Sequence, residues 1–137
     1  MSKRLLLGAL AGGLTLFFGG WIVYGFVLQN FTTAHMNQCM IIPMDQMRWW
    51  AIISSNLLTG LMLAIVLSWA KVSNAREGAQ FAALLGLLWA LSTDLNFHSM
   101  TSYYDSLSTI LVDVAGTTVM MALSGISIGF VYSKNVA

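Results

Sequence analysis

Two aspartates, Asp94 and Asp113, fall at the edges of long apolar runs. Ionisable groups inside a membrane span are costly and are functional suspects by default. Asp113 has two readings: a carboxylate held by a hydrogen-bond network or by Arg48, or a ligand or proton site in an outward-facing pocket. Asp94 and His98 are four residues apart and share a face if their helix runs that far. Such a pair could act as a general base, a metal-ligand pair or an interface ion pair. Asn56, beside Ser54 and Ser55, and Tyr24, near Gln29, fall at similar depths in the other two runs. At 1.5 Å per residue these depths agree within about 6 Å. The pocket expected from this placement is made of Asp113, Asp94, Asn56, His98, Arg48 and Tyr24. The opposite half of each run is nearly all Leu, Ala, Met, Ile and Gly, with Gln80 an exception. A conducting path needs polar groups along its whole length, so a monomeric channel or transporter is not expected.

A second constellation lies between the first two runs. Residues 34–47 read AHMNQCMIIPMDQM and hold four of the nine Met, the single Cys and one of the two His. Thioether, thiolate and imidazole suit Cu(I). His35 with Cys39, and Met36 with Met40, have i, i+4 spacing. The competing reading is that these Met fill gaps in a short interfacial helix lying on the bundle or on a partner. A haem held between His35 and His98 is a third. No nucleotide loop, nucleophile elbow, HExxH or CxxC motif is present, and no enzyme is expected. Asn30-Phe31-Thr32 has the glycosylation pattern, which a bacterial-looking protein would leave unused.

The elements that position these groups follow from composition. The chain has 137 residues, 58% hydrophobic and 8% charged. A soluble domain carries roughly 25% charged residues, and a disordered one is poor in apolar residues. A net charge of +1 offers no basic surface for nucleic acid, and one cysteine allows no internal disulfide. Charge-free runs span Leu5–Leu28, Trp49–Ala70, Gly78–Thr93 and Val114–Ser133, the last two extendable across Asp94 and Asp113. About 20 apolar residues cross a bilayer as a helix, and none of the runs alternates as barrel strands do. The reading is one all-α domain over 1–137, a four-helix transmembrane bundle with helices at about 5–28, 43–71, 78–98 and 107–133. Pro43 is expected to open the second, with Asp45 in its first turn. The first run is too long for a signal core and lacks a small-x-small cleavage site, so it reads as an anchor. Lys3, Arg4, Lys71, Arg76 and Lys134 share one side and Arg48 the other. Positive charge marks the cytoplasm, which places both termini inside and residues 29–48 and 98–106 outside a bacterial plasma membrane.

Gly8, Gly12 and Gly19 form a small-residue face on helix 1, repeated one residue on by Ala9, Gly13 and Gly20, and Gly125 and Gly129 form another on helix 4. Such faces let helices approach closely, either within the bundle or against another subunit. Trp21, Trp49, Trp50, Tyr103 and Tyr104 read as an outer aromatic belt, and Trp69 and Tyr132 as an inner one. The similar ends Leu28-Gln29-Asn30-Phe31 and Leu95-Asn96-Phe97-His98 suggest two parallel hairpin repeats. The runs GALAGGLTLFFGGWIVYG, GLMLAIVL, GLLWAL and ILVDVAGTTVMMALSGISIGFVY are similar to those of small bacterial four-helix membrane proteins grouped as a family of unknown function. That resemblance implies the bundle and no activity. Two functions remain: an accessory subunit docking on a membrane complex or on its own copies, and an outward-facing binding protein for a small solute, lipid or soft metal. Gly12→Leu or Gly125→Leu should release a partner in the first case, and Asp113→Asn should abolish binding in the second.

Overall fold

The computed structural model describes residues 2–134. Helix α1 (Lys3–Ile22) starts at Ser2, whose hydroxyl accepts the Leu5 N–H at 3.3 Å. Its ladder then widens into a π turn over Val23–Val27, closed by the Leu28 N–H on the Val23 carbonyl at 2.7 Å. Helix α2 (Gln29–His35) follows, and α3 (Trp49–Trp69), α4 (Ala75–Met100) and α5 (Leu107–Lys134) complete the chain. The helix expected over 5–28 is thus one continuous span, Lys3–Val27, whose last turn is π, and α2 is a separate short helix beyond it. The expected start at Pro43 also shifts: Pro43 precedes only a 3₁₀ turn, Met44–Gln46, and α3 begins six residues later.

Four segments are long and apolar enough to cross a membrane: Lys3–Val27, Trp49–Trp69, Ala75–Met100 and Leu107–Lys134. Large apolar side chains such as Phe18, Leu58, Leu84 and Leu111 stay exposed on them. Such an outer surface is at home in lipid and costly in water, and it makes this an all-α four-helix membrane bundle.

The helices lie in the spatial order α3, α1, α5, α4, with α3 and α4 barely touching. A pair of parallel hairpin repeats would superpose α1 on α4 and α3 on α5, and would need an α3–α4 seam to match the α1–α5 seam. The packing has no such match.

Glycines make each seam close. A Cβ on Gly60 would lie 2.7 Å from Gly13 Cα, where α3 crosses α1. One on Gly125 would run into the Gly78 carbonyl, and one on Gly129 would lie 2.9 Å from Ala75 Cα, both on α4. Gly8 and Gly12 face Tyr132 and Ile128 of α5, and Gly19 looks toward Met120. Gly8, Gly12, Gly19, Gly125 and Gly129 are therefore covered by the chain's own helices. Gly12→Leu and Gly125→Leu would part α1 from α5 and α5 from α4 before releasing any partner.

Polar bonds finish the seams. Ser124 donates to the Gly12 carbonyl at 3.1 Å, and Thr15 and Ser127 share a hydrogen bond at 2.8 Å. At the end of the bundle that holds the termini, buried Tyr132 donates to the Ala64 carbonyl at 2.7 Å, and Arg4 lies over its ring. Tyr132 is a core residue here rather than a belt residue. The α3–α4 turn closes on Lys71 at φ 56, with the Val72 N–H returning to the Leu67 carbonyl at 3.0 Å. Asn74 then caps α4 by accepting the Glu77 N–H at 3.0 Å.

Candidate functional site

The other end of the bundle, the loop end, is closed by two segments that meet. Met36 pairs with Tyr104 in an isolated antiparallel bridge, and the Asn37 N–H donates to the Tyr103 carbonyl at 2.9 Å. His35 Nδ1 lies 2.7 Å from Asp105 Oδ2. Asp105 also accepts from the Thr109 hydroxyl. These bonds, first the one from Thr109 and then the one from His35, hold the Asp105 carboxyl down at about 2.

Asp113 lies beneath this strap, on α5. Tyr24 donates to its Oδ1 at 2.8 Å and Tyr104 to its Oδ2 at 3.0 Å. The π turn positions Tyr24, whose hydroxyl also lies 3.2 Å from Thr117 Oγ1. Tyr104 is buried, and its phenol is pushed well above its ordinary value by burial and then by the charges of Asp113 and Asp94. Asp113 is thus held by a hydrogen-bond network, as the first of its two readings has it, with Tyr24 and Tyr104 rather than Arg48 as partners. Arg48 occupies the cap position of α3 and makes no side-chain cap bond. Among the described residues the one ion pair is His35–Asp105.

Asp94 is the acid that lines the cavity at this end. It lies against Asp113 and Tyr104, yet its Oδ2 is buried with no donor in bonding geometry. A cavity of about 340 Å³ beside it is lined by Met40, Thr93, Asp94, Phe97, Tyr103 and Tyr104. The aromatic wall is continuous: Phe97 meets Tyr103 edge-on at 5.8 Å, and Tyr103 meets Tyr104 edge-on at 4.9 Å. Burial, followed by the two carboxylates, raises the Tyr103 phenol as well.

The remaining expected residues scatter. Asn56 donates to the Ile52 carbonyl of its own helix and lines a different cleft. His98 sits one turn past Asp94 with a buried, unpartnered Nδ1, outside the cavity lining. The soft-ligand register breaks because α2 ends at His35 and Met36 is extended, at φ −104 and ψ 146. Met36 is buried against Tyr104, His35 is engaged by Asp105, and Cys39 is exposed. No three of His, Cys, Asp and Glu come together among the described residues. In place of the expected interfacial helix, α2 ends at His35 and the segment continues as irregular chain with two 3₁₀ turns, Gln38–Met40 and Met44–Gln46.

Sequence reading missed Phe97, Tyr103, Tyr104 and Thr93. Tyr103 and Tyr104 read as belt anchors because adjacent tyrosines at a span boundary commonly are; their turn inward is set by the strap. The chain matches no protein-family model, no curated protein and no solved structure.

Proposed function

We propose that this small multi-pass membrane protein binds an organic cation at its loop end. The observation that carries the reading is the cavity lining: Asp94, which has no ion-pair partner among the described residues, stands in one wall beside the aromatic side chains of Phe97, Tyr103 and Tyr104. Aromatic faces and a carboxylate together are the recognition chemistry of ammonium groups. The volume, about 340 Å³, lies in the range of small-ligand pockets, about 300–1,000 Å³. The distribution of Lys and Arg turns this end away from the cytoplasm, so the ligand comes from outside a bacterial plasma membrane. Asp113 supports the site from behind by fixing Tyr24 and Tyr104.

The accessory-subunit reading rests on the short loops and on the lack of a polar path through the bundle as well as on glycine faces, and of these only the glycine faces are filled from within the chain. The binding reading is placed first because the loop-end cavity supplies it with a site. Its test is calorimetric titration of the full chain in lipid nanodiscs with tetramethylammonium. Saturable binding that weakens about tenfold or more in Asp94→Asn is the expected result. Binding that is absent, or equal in Asp94→Asn, refutes it.

A further inference from the structure

The loop-end cavity is not the only space along α4. A second cleft, of about 360 Å³, opens sideways between α3 and α4, where those helices fail to pack. Its lining includes Leu16, Thr59, Met62, Trp89, Met120 and Met121. Trp89 and Leu58 form its lips and are 60% and 65% exposed. Asn56 contributes little polarity there, since its amide is turned to its own helix.

The two spaces are stacked. Trp89 lines the lateral cleft and Thr93 the loop-end cavity. These residues are four apart on one face of α4, about 6 Å along the axis, and Thr93 Oγ1 bonds the Trp89 carbonyl at 2.9 Å. Phe97 continues the same stripe upward, and Asp94, next to Thr93 in sequence, lines the cavity from the adjoining face of α4. One side of α4 thus presents an acidic aromatic cavity at its top and an apolar cleft one turn below, inside a membrane-spanning segment.

We infer that the ligand is a single-chain amphipathic cation, with its ammonium head in the loop-end cavity and its aliphatic tail in the α3–α4 cleft. The inference rests on the reading of the upper cavity as a cation site. It adds a substrate class: a molecule that reaches the site along the bilayer rather than only from water. The head is held by Asp94 and the aromatic wall. The tail exchanges lipid contacts for Leu16, Met62 and Met121, which are equally apolar, so the tail sets position and route more than affinity.

The test uses an alkyltrimethylammonium probe brominated at the far end of its chain, with the full-length protein in nanodiscs. Bromine quenches tryptophan on contact, and Trp89 lies in the cleft. The expected result is saturable quenching that disappears in Trp89→Phe, is reversed by excess tetramethylammonium, and shifts about tenfold or more to higher concentration in Asp94→Asn. Phe97→Leu, which keeps the carboxylate, is the second variant and should shift the curve in the same direction. If tetramethylammonium binds in an Asp94-dependent way but quenching rises without saturation, the tail does not enter the cleft. The inference then falls and the cation site stands. If neither ammonium binds, both fall.

Discussion

Alanine placed at single glycines should change stability with a sign decided by the nearest foreign atom. In a helix, Ala is favoured over Gly by about 0.5–1 kcal/mol. At Gly20 the new Cβ would meet Met120 Cε at 3.4 Å, an ordinary contact, so Gly20→Ala should gain about that amount. At Gly12 it would meet the tip of Ile128 at 2.7 Å. That tip can turn, and its off-rotamer cost, about 0.5–1.5 kcal/mol, roughly cancels the gain. At Gly125 the obstacles are the Gly78 carbonyl and Ala82 Cβ, the latter at 2.5 Å. Backbone cannot turn aside, so α4 must back away from α5 by about an ångström, and contacts along the seam weaken steeply with such a gap. Overpacking of this kind costs about 1–3 kcal/mol or more, leaving Gly125→Ala destabilised by about 2 kcal/mol net. The assay is unfolding by increasing SDS fraction in one mixed micelle, followed by circular dichroism. A Gly125→Ala protein as stable as Gly20→Ala would refute the close α4–α5 seam.

Three further outcomes follow from the described bonds. Tyr104→Phe removes one of two phenol donors to Asp113 and should cost about 1.5–3 kcal/mol, as for hydrogen bonds to charged groups. Tyr24→Phe should cost a similar amount, and the double variant less than the sum; strict additivity in the same unfolding assay would show that the two phenols act separately. Asp105 has a folded value of about 2, below the ordinary aspartate value of about 3.9. Its contribution is therefore complete above about pH 4 and lost as pH falls toward 2. The difference in melting temperature between the protein and Asp105→Asn should vanish over that window, and a difference that persists at pH 2 would contradict the assignment. Asn74→Ala removes the α4 cap and should cost about 1 kcal/mol, read by the same unfolding curve.

Sequence periods and run lengths located the spans well. The last helix was expected at 107–133 and is Leu107–Lys134; the third was expected at 78–98 and is Ala75–Met100. Length and apolarity decide these bounds almost alone. Where turn chemistry competes with hydropathy the reading slipped. Pro43 looks like a helix start, but it opens only a 3₁₀ turn, Met44–Gln46, and the chain is extended again at Met47 before α3 begins. The site was half legible. Asp94, Asp113 and Tyr24 stood out because polar groups are rare in such runs, yet which carboxylate lines the cavity depends on Tyr104. The inward turn of Tyr104 comes from a backbone bridge to Met36, 68 residues earlier, and no local pattern encodes a pairing across that separation. The small-residue stripes were visible too. Their partners were not, because Gly125 meets Gly78 and Gly12 meets Ser124 only once helix order in space is known.

The row of helices also imposes an order in time. α1 with α3, and α4 with α5, are neighbours in both sequence and space, so each pair can close soon after its second helix is made. The central seam is different: Ser124 and Gly12 are 112 residues apart, and α5 follows the other described helices in the chain. Until it arrives, Gly8, Gly12 and Thr15 present a bare face to lipid. The newborn chain therefore passes through a stage in which its first hairpin is complete and its midline is unclaimed, and the Tyr24–Asp113 bond that shapes the loop end is among the last to form.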